Sequence, residues 1–274
     1  MKIGNKEFDL SNHCYIMGIL NVTPDSFSDG GKFDSLDAAL FHAEEMVNQG
    51  ADILDVGGES TRPGHIQITE DEEIARVTPV IEQLKKRFDV PVSIDTYKSR
   101  VAEAALQSGA DLVNDIWGLK YDENMAEVIA RHQAACCLMQ NREQIDYTDY
   151  VEDVLDDLRE SVQIAKAAGI PDDRIMLDPG VGFGKTYEMN LEIIRVVGRL
   201  KELGYPVLLG TSRKSVIGLT LDLPADQREE GTLVTTVLGV EQGCSFVRVH
   251  DVEANARAIR MAEAIFREHD LAVR

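Results

Sequence analysis

The chain has 274 residues, 44% of them hydrophobic, so it is long enough to bury a large core. Its net charge of −20 argues against nucleic acid and anionic membranes as partners, because both are themselves negatively charged. Its apolar runs are far shorter than the roughly 20 residues of a membrane helix, and its first ten residues show no secretory signal pattern, so we expect a cytoplasmic protein.

Buried strands and amphipathic helices alternate eight times along the chain. We predict strands at 14–20, 52–56, 91–95, 111–115, 135–139, 174–178, 206–210 and 245–249. We predict helices near 35–49, 70–88, 98–108, 122–132, 149–168, 188–203, 228–242 and 252–268. A glycine suited to a left-handed C′ position follows several of the helices, at Gly50, Gly109, Gly169, Gly204 and Gly243.

This alternation predicts an α/β fold, a single (β/α)₈ TIM barrel over residues 1–274. Residues 2–10 are expected to form a short N-terminal hairpin that closes the bottom of the barrel. The alternative is a doubly wound open sheet. That fold usually has fewer strands and a glycine-rich dinucleotide loop, and no G-x-G-x-x-G motif follows the first predicted strand.

The cysteines show no metal-ligand spacing, and most of them lie inside predicted buried strands. We therefore predict reduced thiols in the core at Cys14, Cys136, Cys137 and Cys244.

Polar side chains follow nearly every predicted strand, at the end of the barrel where active sites lie. They are Asn21, Asp55, Asp95, Asn114 with Asp115, Asp178, Thr211 to Lys214, and Arg248 with His250. A single aspartate in such a position is commonly a helix cap, the interpretation we favour for Asp55 or Asp115 taken alone. So many polar groups converging on one face predict an active site.

The predicted mouth of the barrel divides by charge. Cationic residues follow strands seven and eight, where such barrels often bind phosphate: Arg213, Lys214, Arg248 and His250. Carboxylates and an amide follow strands three, four and six: Asp95, Asn114 and Asp178. An ordinary salt bridge for Arg248 and a core position for His250 are the alternatives. The division favours a heterocycle with N–H donors on one edge and a phosphate on a short arm, such as a pterin or a purine.

Seven motifs occur in order between residues 17 and 252: MGILNVTPDSFSDGG, GGESTRPG, SIDTYK, NDIWG, LDPGVGFGK, GTSRKS and RVHDV. Together they resemble the bacterial dihydropteroate synthase family of pterin-binding enzymes. The resemblance implies a homodimeric transferase of folate biosynthesis that is a target of sulfonamides. Its reaction condenses 6-hydroxymethyl-7,8-dihydropterin pyrophosphate with p-aminobenzoate, with Mg²⁺ as cofactor. A pterin-dependent methyltransferase and a non-catalytic pterin-binding paralogue are the alternatives.

The resemblance also implies roles for individual residues. The pterin pocket would comprise Asp95, Asn114, Met139, Asp178, Phe183, Gly210 and Lys214. Pyrophosphate would bind Asn21, Thr61, Arg248 and His250, with Asn21 acting through Mg²⁺. The p-aminobenzoate site would comprise Phe27, Thr61, Arg62, Pro63 and Ser215. The catalytic residues would be Asp95, Lys214, Arg248 and His250. Gln140 departs from many relatives, in which a histidine follows the methionine of this motif, and its role is left open.

Overall fold

The computed structural model describes residues 1–11, 13–22, 32–59 and 67–266, without the side chains of residues 32–35. The strands are β1 (Lys2–Ile3), β2 (Lys6–Glu7), β3 (Tyr15–Asn21), β4 (Ile53–Gly57), β5 (Val92–Asp95), β6 (Leu112–Asp115), β7 (Ala135–Met139), β8 (Ile175–Asp178), β9 (Leu208–Leu209) and β10 (Phe246–Val249). The α-helices are α1 (Lys32–Gln49), α2 (Glu70–Arg87), α3 (Ser99–Gln107), α4 (Met125–Arg131), α5 (Tyr150–Ala167), α6 (Tyr187–Arg195), α7 (Ser215–Leu221), α8 (Glu229–Glu241) and α9 (Val252–Phe266).

Eight of these strands form a parallel sheet in the order β8-β7-β6-β5-β4-β3-β10-β9. A parallel bridge between Leu177 on β8 and Val207, just before β9, joins the first and last strands. The Leu177 N–H donates to the Pro206 carbonyl oxygen at 2.9 Å across this seam. The predicted (β/α)₈ barrel is therefore confirmed, and the open-sheet alternative is wrong.

The bottom of the barrel is closed by the N-terminal hairpin, as predicted. Strands β1 and β2 pair in antiparallel fashion, with Lys2 opposite Glu7. Ile3 and Phe8 from this segment are buried. They pack against apolar side chains that point into the barrel: Met17, Ile53, Leu112, Ala135, Cys137, Met176, Leu208 and Phe246. The lower half of the barrel is thus a packed core, and the upper half is left for polar side chains.

The helices cover the outside of the barrel, and the larger apolar core lies between them and the strands. Helix α2 illustrates the local signals. The Thr69 hydroxyl accepts the Glu72 N–H at 3.2 Å, acidic residues fill the first turn, and basic residues fill the last. The five glycines expected after helices all have positive φ, between 81° and 107°. Within the described ranges, no helix has the length and apolar character needed to cross a membrane.

The chain departs from the predicted helices after β8 and after β9. The helix expected near 188–203 is two pieces, α6 and a 3₁₀ helix over Val197–Leu203. The break occurs because Val196 leaves the helical region (φ −119°, ψ 20°). Two residues later, the Gly198 N–H donates to the Gln242 side chain at 3.1 Å. Helix α7 was not predicted, because its seven residues are too few to show a helical period.

All four cysteines are free and buried. The prediction of core thiols is confirmed for these residues. Burial raises the pKa of Cys244 to about 12, so the thiol form dominates at neutral pH.

Candidate active site

The upper half of the barrel interior is polar because side chains on a strand alternate between its two faces. On β4, Asp55 shares the inward face with Ile53, whose side chain belongs to the bottom core. The same alternation sends one residue from the end of each neighbouring strand inward. These residues are Asp95, Asn114, Met139, Asp178, Gly210 and Arg248. The predicted convergence on one mouth is therefore confirmed as a matter of geometry.

Arg248 lies at the centre of this mouth. Its Nε donates to Asp55 Oδ2 at 2.6 Å, and its Nη2 donates to Asp95 Oδ2 at 2.6 Å. Strand β10 neighbours only β3 and β9, so both contacts cross the barrel interior. The salt bridge considered as an alternative for Arg248 is real, but it lies inside the candidate site rather than on the surface.

Asp55 is fully buried and does not cap a helix. Besides Arg248, it receives the Asn114 amide, whose Nδ2 lies 3.4 Å from Asp55 Oδ2. The cap interpretation is therefore wrong for Asp55. It is also wrong for Asp115, whose carboxylate accepts the N–H groups of Trp117 and Leu119 at 2.9 and 2.7 Å in a turn, well before α4 begins at Met125. Strand parity distinguishes the two, since Asp55 is two residues from an inward isoleucine.

Two carboxylate oxygens in the mouth lack a hydrogen-bond partner within the described part of the chain. They are Asp55 Oδ1 and Asp95 Oδ1, both buried. Burial raises the pKa of Asp95 to about 7, with Arg248 opposing the shift and Asp55 adding to it. A buried acceptor without a donor is costly, so these atoms are suited to a ligand that brings N–H groups.

Asp178 and Lys214 form the second part of the mouth. Asp178 Oδ1 accepts the Gly180 N–H at 2.7 Å, while Lys214 Nζ donates to the Val181 carbonyl at 2.5 Å. Burial lowers the pKa of Lys214 to about 8 against the attraction of Asp178. Burial raises the pKa of Asp178, with Lys214 opposing. Each group therefore reduces the cost of burying the other's charge.

Gly210 leaves open space between these groups. A Cβ at this position would lie 3.4 Å from Asp178 Oδ2 and 3.8 Å from Lys214 Nζ, so a side chain here would cover both polar groups. Apolar side chains wall the same end of the barrel: Tyr97, Ile116, Trp117, Met139 and Phe183. Lys214 Nζ lies 4.9 Å from the Phe183 ring centre. The mouth thus offers flat apolar contact together with acceptors.

The loops after β9 and β10 are tied together. Ser212 Oγ and His250 Nδ1 are 2.9 Å apart, and the Ser212 hydroxyl also accepts the His250 N–H at 3.1 Å. Arg213 pairs with Asp251, with Nε 3.0 Å from Oδ2. Helix α9 begins directly afterwards at Val252, as predicted. A histidine, an arginine and a helix N-terminus therefore meet on the cationic side of the mouth.

The structure places some, but not all, of the remaining predicted site residues. Ser215 is the first residue of α7. Asn21 ends β3, and its Oδ1 lies 3.3 Å from where a Cβ on Gly57 would stand. Phe27, Thr61, Arg62 and Pro63 lie outside the described residues.

The mouth provides one oxygen ligand of the kind that suits the magnesium ion expected from the resemblance. Among the described residues, no group of three or more His, Cys, Asp or Glu side chains could form a metal site. Asn21 instead offers one hard amide oxygen at the mouth. Protein-bound Mg²⁺ usually keeps water and substrate phosphates as ligands, and few protein oxygens suffice for it.

Sequence reasoning assigned no role to Gln140 and did not consider Lys185. The two side chains are hydrogen-bonded to each other beneath the loop that follows β8. Gln140 had a signal, since it directly follows an inward-facing Met139 at a strand end. Lys185 ends the motif LDPGVGFGK, but its partners depend on the path of this glycine-rich loop, which the sequence does not show.

A cavity of about 530 Å³ lies at the opposite end of the barrel, beside Asp52. The Asp52 carboxylate accepts the Ile16 N–H at 2.8 Å. Glu263 nearby likewise accepts the Cys14 N–H at 2.9 Å. These acids hold the backbone at the bottom of the barrel, where conserved architecture usually serves stability.

Comparison with known proteins agrees with the geometry of the mouth. The pterin binding enzyme family matches residues 17–250 of the chain. The dihydropteroate synthase of Clostridium beijerinckii is 59% identical over 268 residues, which cover 97% of this chain and all of that protein. The dihydropteroate synthase of Bacillus subtilis is 55% identical, over 91% of this chain and 88% of that protein.

Solved structures lead to the same family. A Clostridium difficile dihydropteroate synthase, crystallised with pteroic acid, superposes with a TM-score of 0.93 at 55% identity, covering 96% of this chain and all of that one. A Yersinia pestis dihydropteroate synthase in complex with a sulfonamide drug gives 0.90 at 40% identity, covering 97% and 98%. A Xanthomonas albilineans dihydropteroate synthase with 4-aminobenzoic acid also gives 0.90 at 40% identity, covering 95% of each chain.

Proposed function

Because the chain belongs to the dihydropteroate synthases of the pterin-binding enzyme family, we propose that each polar group at its barrel mouth serves one part of that family's reaction. The enzyme condenses 6-hydroxymethyl-7,8-dihydropterin pyrophosphate with p-aminobenzoate, giving 7,8-dihydropteroate and pyrophosphate in folate biosynthesis. The observation that carries the assignment of roles is the pair of buried carboxylates at the mouth: Asp178, whose Oδ2 faces the space left by Gly210, and Asp95, which accepts a hydrogen bond from Arg248.

The pterin occupies that space in our proposal. Its N3–H and 2-amino group form a two-donor fork that one carboxylate accepts, and we assign this role to Asp178. The other edge of the ring forms hydrogen bonds with Asp95 and with the Asn114 side chain. Lys214 donates to the acceptor atoms of the ring. Apolar contact with the ring faces comes from Met139 and Phe183. The acceptors without partners, above all Asp95 Oδ1, support this orientation.

The pyrophosphate lies on the cationic side of the mouth. Arg248 uses Nε and Nη2 for Asp55 and Asp95, so two of its five N–H groups are engaged in these contacts. We propose that the remaining N–H groups of Arg248 bind the phosphate oxygens, together with His250 and Thr61. Asn21 would hold Mg²⁺, which when bound neutralises charge on the departing pyrophosphate.

p-Aminobenzoate approaches from the loops that follow β3 and β4. Phe27, Thr61, Arg62, Pro63 and Ser215 are the proposed contacts, on the basis of the motifs that carry them. Arg62 would pair with the carboxylate of the substrate. A sulfonamide presents a similar aniline ring, so we propose that sulfonamides compete for this second site.

The chemistry requires a leaving group more than a base, because an aniline nitrogen is already nucleophilic at neutral pH. We propose that the bond between the pterin methylene carbon and the pyrophosphate oxygen breaks first, with the electron pair leaving on oxygen. Arg248 and His250 stabilise the charge that grows on that oxygen. Asp95 and Asp178 favour the cation delocalised into the pterin ring. The amine then attacks the methylene carbon and loses one proton to solvent.

The test is a pyrophosphate-release assay with both substrates. We expect release that requires p-aminobenzoate and yields dihydropteroate in equal amount. A methyltransferase or a non-catalytic pterin-binding protein, the alternatives raised by the sequence, would release none. Identity above 50% to two dihydropteroate synthases favours the synthase over both.

We also propose a cytoplasmic homodimer. The buried free thiols and the acidic composition support a reducing compartment. For the dimer, helix α8 carries no charged side chain from residue 231 to 240. Val234 is 61% exposed on it, and Met261 is 62% exposed on the neighbouring α9. An apolar outer face of this kind is typical of a subunit interface.

A further inference from the structure

Gln140 begins the connection that leaves β7, immediately beside the mouth. Its side chain is only 2% exposed. Its backbone N–H donates to the Asp178 carbonyl oxygen at 2.9 Å, so the residue extends the pairing of β7 with β8. Any change in the position of Gln140 is therefore passed directly to the strand end that carries Asp178.

The Gln140 amide lies between two charged groups, Lys185 and Asp157, and bonds both of them. Its Oε1 accepts a hydrogen bond from Lys185 Nζ. Its Nε2 donates to Asp157 Oδ2 at 2.8 Å and to the Tyr147 hydroxyl at 3.0 Å. Reversing the amide would place its NH₂ against the ammonium and its oxygen against the carboxylate. The two contacts thus fix one orientation of the side chain.

The negative charge of Asp157 is balanced by Arg142 and not by Gln140. Arg142 binds it through Nε at 2.7 Å and Nη2 at 3.0 Å, one to each carboxylate oxygen. This bidentate pair anchors the amide to helix α5. Gln140 therefore has a rigid support on one side and Lys185 on the other.

Lys185 in turn holds the glycine-rich loop that follows β8. Its ammonium also donates to the Phe183 carbonyl at 3.0 Å. The loop lies directly on Gln140, since a Cβ on Gly180 would stand 1.9 Å from the Gln140 carbonyl oxygen. Gly180 has φ +70°, so glycine is needed there for both space and conformation.

The same loop carries the groups that face the pterin space. Gly180 gives its N–H to Asp178, Val181 gives its carbonyl to Lys214, and Phe183 gives the ring beside the Lys214 ammonium. A shift of the loop would move three contacts of the pocket together. Among the described residues, one series of side-chain hydrogen bonds connects this loop to α5. It runs from Asp157 through Gln140 to Lys185.

We propose that Gln140 and Lys185 are positioning residues that set the geometry of the pterin pocket through the loop over residues 179–185. The proposal rests on the function proposed above, because it assumes that this pocket receives the pterin. Neither residue contacts the substrate. Burial lowers the pKa of Lys185 to about 7, and the negative charges of Asp178 and Asp157 oppose this shift.

The decisive variant is Gln140→Leu, which keeps the approximate size of the side chain and removes both amide contacts. We expect its Kd for 6-hydroxymethylpterin pyrophosphate, measured by calorimetry, to rise roughly ten- to a hundredfold, the scale of a small misplacement. The KM for p-aminobenzoate should stay near the wild-type value. Gln140→His should recover most of the affinity, since a neutral imidazole also has one acceptor and one donor.

Gln242→Leu is the matched control. Gln242 is a half-buried glutamine that likewise joins two segments, accepting the Gly198 N–H and donating to the Ile194 carbonyl, both at 3.1 Å, at the other end of the barrel. It should lose thermal stability without a change in pterin Kd. Equal rises in pterin Kd for the two leucine variants would overturn the proposal.

Lys185→Met decides the matter independently if Gln140→Leu does not fold. It retains the stem of the side chain and should weaken pterin binding to a similar degree. Wild-type pterin affinity in a folded Gln140→Leu or Lys185→Met protein refutes the positioning role and leaves the proposed function intact. Failure of the wild-type protein itself to bind the pterin would instead refute the proposed function.

Discussion

Asp178 shows how position alone changes what a carboxylate does. The chain has 48 aspartates and glutamates, most of them solvated. Asp178 is 4% exposed, and one of its oxygens is fixed by the Gly180 N–H. The other faces the space over Gly210. Its value for binding therefore comes from a single oriented acceptor that water reaches poorly.

The substitution Asp178→Asn tests this. An amide can turn its NH₂ toward the N–H groups of the pterin, leaving donor against donor at a loss of about 1–3 kcal/mol or more. We expect a folded protein whose pterin affinity, measured by calorimetry, is reduced to match. Asp173→Asn, at an exposed site at the bottom of the barrel, is the control and should bind normally. Unchanged affinity in the Asp178 variant would remove this residue from the pocket.

Asp95 gives a prediction about pH. Its pKa is raised to about 7 by burial, so in the free protein it gains a proton as the pH falls through neutrality. A ligand that donates N–H groups binds the ionised form, and binding therefore lowers this pKa. The pterin Kd should be constant above about pH 7 and rise by up to about tenfold per pH unit below it. Asp95→Asn should bind weakly at every pH, and a flat wild-type profile would contradict the assignment.

At the level of elements, the strands and the mouth were predictable, and the connections were less so. Strand ends follow from short apolar runs, so Asp95, Asn114 and Arg248 were found by their place at the ends of their strands. The break at Val196 was not, because the Gln242 side chain that receives the freed N–H of Gly198 is 44 residues away along the chain. The pairing of Arg248 with Asp55 likewise depends on contact across the closed barrel.

A buried ion cluster between the end of β4, helix α2 and the residue before α3 was not predicted from the sequence. Lys98 Nζ donates to Glu59 Oε2 at 2.7 Å, to Glu73 Oε2 at 2.8 Å and to the Ile68 carbonyl at 3.0 Å. Both glutamates are at most 4% exposed. The cluster joins the end of β4 to the start of α2, and burial raises the pKa of Glu73 despite Lys98.

Lys98→Met should therefore destabilise the protein strongly. It removes the ammonium group that pairs with both Glu59 and Glu73, and removing one partner of a buried ion pair costs on the order of 3–5 kcal/mol. Urea denaturation at neutral pH measures the loss. Arg100→Met breaks the exposed pairs with Glu70 and Asp71 and should change the denaturation midpoint little, because solvent screens exposed charges. Similar losses of unfolding free energy in the two variants would show that the buried cluster contributes no more to stability than an exposed ion pair.

For the whole molecule, the apolar outer face of α8 and α9 is the feature that a monomer does not explain. Val234 and Leu238 lie four residues apart on α8, and Met261 and Ile265 lie four apart on α9, so each pair forms one stripe. We expect light scattering to give twice the monomer mass of 30.4 kDa.

Val234→Glu should shift this mass toward the monomer, because it places a charge in the proposed interface. Phe41→Glu, at an exposed position of α1, is the control and should leave the mass of the assembly unchanged. A wild-type protein that stays at 30.4 kDa at micromolar concentration would refute the dimer.

The seam between β8 and β9 is the narrowest join in the barrel wall. It rests on one bridge at Leu177, and its partner segment begins with Pro206, which has no N–H to give. Asp178 stands on one side of this seam and Gly210 on the other. In the proposed complex the pterin contacts both sides of this seam, so we expect bound substrate to reduce local opening of the barrel wall. Amide hydrogen exchange at Leu177 and Leu209 should slow when the pterin binds, well beyond the slowing in strands far from the seam.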